Sequence, residues 1–408
     1  YEPFTDNINN YVSRIDFELQ YTRFPGEAHR NYALDWKSVT KALLEHTNFG
    51  RELESTSFLK DDIGSLVANQ TDELQKMLDV YTFINNKIKW NERYRVFTDN
   101  RLRRVYNEGS GNSAEVNLSL VAALREAGFD AFPIVLSTRS NGLVHEWEVS
   151  LGRFNHVIAG LYNKGKIITM DATSNYSVPD ILPLQCLNGK ARIIDPERSD
   201  WIDLNPKVTS RRSSMVQFSI DNEFNGKGVV NEVFYNYQAL DKYNTIFIEN
   251  NPESFKNTLS AKHNNGTIQD VESSHSLTPV PQVKISYKAE IPEGLIARGD
   301  MIYITPGAGL LPSSNPFYSD SRKLPINFHY PFSDSYMFVY QIPQGYEIQE
   351  LPQNSRFLLG DNKGSYLRSV VVNDNNITMS FSINILQTLF LPEEYNQVKE
   401  FFNEIIAK

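Results

Sequence analysis

Residues 107–139, NEGSGNSAEVNLSLVAALREAGFDAFPIVLSTR, decide how this chain is read. Two glycines in a short loop, Gly109 and Gly111, lead into Asn112. Asn112 followed by Glu115 has the form of a capping box: the short side chain takes an N–H of the first turn, and the carboxylate reaches back to the cap. Behind it Val116, Leu120, Val121, Leu124 and Ala127 recur at helical spacing. Gly128 then closes the helix, since helices commonly end on a left-handed residue and glycine takes that conformation without a Cβ clash. Residues 132–137 form a short apolar run, which predicts a buried strand.

Working outward, residues 58–90 predict two helices. The second should start at the capping residue Thr71, with Asp72 and Glu73 in a first turn whose dipole favours acids. Its stripe of Leu74, Met77, Leu78, Tyr81 and Ile84 faces a core. Residues 36–46 have Trp36, Val39, Leu43 and Leu44 at helical spacing. Residues 12–22 alternate, with Ile15, Phe17 and Leu19 on one face, as in a strand whose partners lie in an upstream domain. The chain begins at Tyr1 without a methionine, which reads as a mature or trimmed fragment with any targeting signal upstream.

Downstream, residues 154–161 and 166–170 predict two strands joined by Asn163-Lys164-Gly165. Residues 195–214 are polar and charge-rich and hold a domain boundary. Beyond them the period changes to two: Val216, Phe218 and Ile220, then Val283, Ile285 and Tyr287, then Ile377, Met379, Phe381, Ile383 and Ile385. Residues 373–376 are a turn. Repeated alternating strands argue for an antiparallel β-sandwich. A helix after Pro392 is striped by Tyr395, Val398, Phe401, Phe402 and Ile405. The expected organisation is therefore α+β. Residues 1–56 are the remnant of an upstream β-rich domain plus a connecting helix, 57–205 a mixed core, and 206–408 a β-sandwich with a terminal helix.

Composition excludes several classes. The 408 residues are 40% hydrophobic and 12% aromatic, with 24 Phe and 21 Tyr, which is not the composition of a disordered chain. No apolar run approaches the ~18 residues of a membrane helix, so no span is expected. A net charge of −9 argues against a nucleic-acid partner, because phosphate binding wants a basic face. The single cysteine excludes an internal disulfide framework and multi-cysteine metal sites. No metal or cofactor is expected. Gly109-Ser110-Gly111 lacks the third glycine of a dinucleotide fingerprint and the Gly-Lys-Ser/Thr of a phosphate loop. Gly111-Asn112-Ser113 continues into Ala114-Glu115, so it is no nucleophile elbow. His145-Glu146 is not followed by a histidine at Val149, which removes the helical zinc motif. His145 and Trp147 read either as cleft lining near His156 or as an ordinary strand.

Three positions carry chemistry together: Ser113, His156 and Asp171. Ser113 starts its helix, where backbone N–H groups and the dipole stabilise negative charge. That is where a thiolate would be placed. His156 opens one strand of the hairpin and Asp171 ends the other. With a loop of Asn163-Lys164 the two are directly opposite. With Lys164-Gly165, Asp171 pairs with Ile158 and lies diagonal to His156 on the same face. Either register lets the aspartate orient the imidazole, as in a catalytic triad.

The glycine, polar residue and nucleophile at a helix start, then LVAALREAGFDA, FNHVI and MDAT, resemble the core of the transglutaminase-like superfamily over about residues 59–194. The resemblance implies a papain-like fold and a Cys-His-Asp triad, with His156 and Asp171 at the His and Asp positions. Ser113 stands at the cysteine position, in Gly111-Asn112-Ser113 where the family usually has Gly-Asp/Lys/Arg-Cys. Residues 12–49 and the C-terminal β region are similar to uncharacterised domains that flank such cores in bacterial envelope proteins. The resemblance thus implies a periplasmic or cell-surface setting and a peptide or glycan ligand.

A serine is not a conservative replacement here. Its hydroxyl is far more basic than a thiol, and it needs a general base aimed at it and a developed oxyanion hole. Damage to a serine hydrolase triad costs about four to six orders of magnitude in rate. The expectation is a pseudoenzyme that binds or scaffolds envelope polymers. The alternative is a serine-dependent amidase or acyltransferase using Ser113, His156 and Asp171. Cys186, in the apolar stretch DILPLQCLN past the triad aspartate, reads as a buried small hydrophobe.

Overall fold

The structure, a computed structural model, describes residues 2–13, 15, 19, 21–26, 30–31, 35–174, 176, 178–220, 226–263, 265–290, 295–298, 300–305, 307 and 309–407. These form two compact units, Asp6–Lys207 and Tyr1–Thr5 with Val208–Lys408. Residues 14, 16–18 and 20 of the strand expected over residues 12–22 lie outside the described residues. Within it Ile15 and Leu19 are exposed, and a short strand at Tyr21–Thr22 pairs with Arg30–Asn31.

In the Asp6–Lys207 unit, helices α1 (Trp36–Glu45), α2 (Lys60–Val67), α3 (Glu73–Lys87) and α4 (Leu102–Glu108) gather with α5 (Ser113–Glu126). They accompany a five-stranded antiparallel sheet of β1 (Ala131–Leu136), β2 (His156–Asn163), β3 (Lys166–Met170), β4 (Lys190–Ile193) and β5 (Trp201–Asp203), in the order β3-β2-β1-β4-β5. The Asn112–Glu115 capping box forms as the sequence predicts, and Gly128 follows the helix at φ +90°. Every residue of α5 from Ser113 to Leu124 is buried, because the helix runs through the core instead of along its surface. Residues 36–56 belong to this same core: Val39, Leu43, Phe49 and Leu53 cluster with the apolar side chains of α5.

Two local features differ from expectation. The cap of α3 is Asp72 rather than Thr71, because the Asp72 carboxylate accepts from the N–H groups of both Leu74 and Gln75. Leu74 lies in that exposed first turn, whereas Met77, Leu78, Val80, Tyr81 and Ile84 are buried. In the β2–β3 hairpin Asn163 pairs with Lys166, leaving Lys164 and Gly165 as a two-residue turn at φ +49° and +79°. Two left-handed residues make the turn that matches the twist of the flanking strands. The ladder ends at Ala159 opposite Met170, so Asp171 comes level with Ile158, diagonal to His156. Of the two registers, the Lys164-Gly165 loop is the one adopted.

The other unit is built on β6 (Ser210–Ile220), β7 (Gly226–Tyr235), β8 (Ile268–Ser276), β9 (Gln282–Glu290), β10 (Phe332–Gln341), β11 (Ser355–Leu359), β12 (Gly364–Asn373) and β13 (Asn376–Ile385). The strands are hydrogen-bonded in one continuous eight-stranded ladder, β8-β9-β7-β6-β10-β13-β12-β11. All its pairings are antiparallel except β6 with β10, which are parallel. That parallel pair joins the four strands β8-β9-β7-β6 to the four strands β10-β13-β12-β11. The predicted alternation holds: Val216, Phe218, Val283, Ile285, Tyr287, Ile377, Met379, Phe381, Ile383 and Ile385 are buried. Helices α6 (Tyr237–Tyr243) and α7 (Pro252–Lys262) pack against β7, β9 and β8, and α8 (Tyr395–Ile406) packs against β11 and β12.

Candidate functional site

The site begins with Ser113 at the first turn of α5. Its N–H donates to the Arg93 carbonyl at 3.0 Å. Its hydroxyl accepts from the Arg95 N–H at 2.8 Å and donates to the Arg95 carbonyl at 3.1 Å. The hydroxyl proton is therefore committed to the backbone of the preceding loop, and no hydrogen bond joins Ser113 to His156. Tyr94, from the same loop, sets its ring edge-on to the imidazole of His156, with centroids 5.0 Å apart at 80°. Ser113 and His156 are both fully buried.

His156 and Asp171 do meet: Nε2 lies 2.8 Å from Oδ2. The other ring nitrogen, Nδ1, is buried without a hydrogen-bond partner. The aspartate is held from every side. Its Oδ1 accepts from Asn117 Nδ2 at 2.8 Å, from the Thr173 N–H at 2.9 Å and from Thr173 Oγ1 at 2.7 Å. Its backbone carbonyl accepts from the Tyr81 hydroxyl at 2.6 Å, which in turn accepts from the Asp171 N–H at 3.2 Å. Burial alone would raise the Asp171 pKa. The charge of His156 and the hydrogen bonds from His156, Asn117 and Thr173 outweigh it and hold the carboxyl down at about 2.

Asn117 was not singled out from the sequence, yet it ties the site together. Besides Asp171 it donates to the Val157 carbonyl at 2.8 Å and accepts from the Ala172 N–H at 2.8 Å. One side chain on α5 thus fastens the strand of His156 to the turn after Asp171. The available signal was a polar residue four positions after Ser113, on the same helix face, inside an otherwise apolar stripe.

Cys186 is buried, as expected, but it is more than a small hydrophobe: its thiol donates to Asp171 Oδ2 at 3.3 Å. Burial pushes the thiol pKa well up, and the adjacent Asp171 carboxylate pushes it further. This is the reverse of the electropositive setting that activates a cysteine. It does not replace the missing nucleophile. His145 and Trp147 lie in a turn, not on a strand; their rings stack at 5.2 Å and 9°, with Trp147 80% exposed.

With this geometry in view, residues 62–172 match the model of the transglutaminase-like superfamily, and residues 300–408 match DUF3858, a domain of unknown function. The chain contains a transglutaminase-like superfamily domain. A solved structure from Parabacteroides distasonis ATCC 8503, described as "a putative protease", is similar over 97% of this chain and 62% of its own, with 12% identity and a TM-score of 0.52. At that identity the likeness shows the fold alone, and this chain spans less than two thirds of that protein's length. A structure from work on DNA duplex opening by the Rad4/XPC nucleotide excision repair complex covers 40% of this chain and 45% of its own, at 14% identity and a TM-score of 0.26. A structure of Rad4-Rad23 bound to a 6-4 photoproduct UV lesion covers 40% and 44%, at 12% identity and a TM-score of 0.23. Scores that low carry no weight for fold or function. No curated protein matches the sequence. Among the described residues, no helix is long and apolar enough to cross a membrane.

Proposed function

We propose that the transglutaminase-like domain is catalytically degenerate and binds or scaffolds peptide or glycan polymers of the bacterial envelope. The observation that carries this reading is the Ser113 hydroxyl, which exchanges two hydrogen bonds with Arg95 and none with His156. A serine nucleophile requires its proton to be taken by a base aimed at it; here the proton points to a backbone carbonyl. The binding half is supported by the exposed Trp147 face stacked on His145, a flat aromatic platform of the kind that rings of a ligand pack on. The envelope setting rests on the resemblance of the flanking regions.

The second reading, a serine-dependent amidase or acyltransferase, is favoured by one feature: the His156–Asp171 pair is intact and Nδ1 of the imidazole has no partner. Treating the purified protein with a fluorophosphonate and reading its intact mass separates the two. No adduct is expected. An adduct that disappears in Ser113→Ala would make the protein a serine enzyme. Tryptophan fluorescence with cell-wall peptides and glycans tests the binding half: quenching lost in Trp147→Ala is expected, and no response to any of these polymers removes it.

A further inference from the structure

His156, Asp171 and Cys186 each turn one ligand atom toward the others, and the three atoms all lie within 4.8 Å of one another. All three residues are fully or almost fully buried. The acid–base pair of the domain thus carries a third polar group that a His-Asp pair does not need. We propose that imidazole Nε2, carboxylate Oδ2 and thiolate Sγ of these residues form a binding site for a divalent transition-metal ion, zinc by the character of its ligands. This goes beyond the reading above, since it assigns these side chains a ligand of their own.

The donor set is the argument. One imidazole, one carboxylate and one thiolate are the three ligand types that zinc takes, and a site with three protein ligands keeps a fourth position for water. Thiolate and imidazole together select zinc over magnesium or calcium, which prefer all-oxygen sites. The charges close: a carboxylate and a thiolate neutralise a divalent cation inside a dry interior, where an unbalanced charge is costly. The spacing is near what coordination requires. Ligand bonds of about 2.0–2.3 Å in a tetrahedron place ligand atoms about 3.3–3.6 Å apart, against 3.3 Å for Sγ to Oδ2 and 2.8 Å for Nε2 to Oδ2. Binding therefore asks the imidazole to move out from the carboxylate by roughly half an ångström, and it asks Nε2 and Sγ, which lie within 4.8 Å of each other, to settle at the same ligand spacing. The thiol proton that now bridges Cys186 to Asp171, and the proton between His156 and Asp171, are what the ion displaces. The Cys186 proton leaves to solvent, and the Nε2 proton of the neutral imidazole moves to Nδ1, the nitrogen that no side chain occupies, so that a neutral imidazole, a carboxylate and a thiolate face the ion. The support around the ligands is already in place, since Asn117 and Thr173 hold the other carboxylate oxygen.

Cobalt(II) is the probe, because a cobalt–thiolate bond gives a charge-transfer absorption that oxygen and nitrogen ligands do not. This chain has one cysteine, so in a protein of these 408 residues such a band reports on Cys186 and nothing else. The expected result is a thiolate-to-cobalt band that saturates at one ion per chain, bleaches on adding zinc, and is lost in Cys186→Ser. His156→Gln should weaken cobalt binding by about tenfold or more, as loss of even a supporting contact does at metal sites. Absence of the band in the folded, unmodified protein at saturating cobalt overturns the proposal without any variant, and leaves the thiol as a donor to Asp171. A band that survives unfolding in urea also overturns it, since the ligands would then owe nothing to the fold. The fluorophosphonate experiment does not involve Cys186, so failure of one reading is visible apart from failure of the other.

Discussion

Two buried carboxylates, Asp171 in one unit and Glu232 in the other, are held on opposite plans. Asp171 accepts from His156, Asn117, Thr173 and Cys186, which come from a strand, a helix, the adjacent turn and a distant loop. Glu232, on β7, takes Arg212 and Ser214 of the neighbouring β6 on its Oε1, and its Oε2 is buried without a partner. Arg212 also donates to the Tyr336 hydroxyl at 3.1 Å and lies over the Phe234 and Tyr336 rings. Burial alone would raise the Glu232 pKa, but Arg212 outweighs it and keeps the carboxyl below its ordinary range. The unfilled valence sits on an imidazole in the first case and on a carboxylate fixed by an arginine in the second. An imidazole exchanges protons and ligates metals, and a thiol stands beside it, whereas the Glu232 carboxylate is hydrogen-bonded by a guanidinium and a hydroxyl. Buried charge by itself does not mark a site; the chemistry of the groups gathered around the carboxylate does.

The comparison is most exposed at Arg212. Arg212→Met strands the Glu232 carboxylate in the core and should cost about 3–5 kcal/mol of stability, measured by urea unfolding. Replacing both members, Arg212→Met with Glu232→Leu, should restore most of the loss. If the single substitution costs less than about 1 kcal/mol, the pair is a surface-like contact and the contrast with Asp171 fails.

Acid should then separate the two units. Burial, aided by Lys262 and opposed by Glu232, holds His263 down at about 4 from an ordinary 6.5. It is neutral in the folded state, so its contribution is full above pH 6.5 and is lost as the pH falls toward 4. Asp171 is depressed from 3.8 to about 2, so its contribution is full above pH 3.8 and is lost as the pH falls through 2. That contribution is about 2 kcal/mol. Unfolding followed against pH should show the His263 loss first, removed in His263→Gln, and the Asp171 loss only in stronger acid, removed in Asp171→Asn. Identical profiles for the wild type and Asp171→Asn would mean that the carboxylate is not held as described.

The smallest effect belongs to Ser113. With its hydroxyl tied to the Arg95 backbone, Ser113→Ala should lower stability by about 1 kcal/mol, the worth of a brace. A substitution that leaves stability unchanged, or raises it as active-site replacements often do, would indicate a residue kept for chemistry.

Much of this was legible along the chain. The capping box at Asn112 and Glu115, the closing Gly128, the hairpin turn at Lys164-Gly165 and the period-two runs of the β region involve residues two to four apart, and local sterics and hydrogen bonding decide them. His156 and Asp171 could be paired because one hairpin joins them. The cap of α3 slipped by one residue, from Thr71 to Asp72, because both can accept a first-turn N–H and only the backbone conformation chooses.

What sequence by itself determined, then, is the capped helix α5 and its closing glycine, the hairpin turn, which face of each β-run is apolar, and that the position at the head of α5 holds a serine instead of a thiol. Tertiary structure alone decided where the side chains of that region spend their hydrogen bonds. Ser113 turned to Arg95, 18 residues before it; Asn117 reached Asp171, 54 residues on; and Cys186 found the same carboxylate, 15 residues past it. It also decided that β6 and β10 pair in parallel and merge the strands into one ladder. The physical reason is the same throughout. A cap or a turn is satisfied within its own few residues, whereas a buried polar atom must take whichever partner the packing of distant segments brings to it.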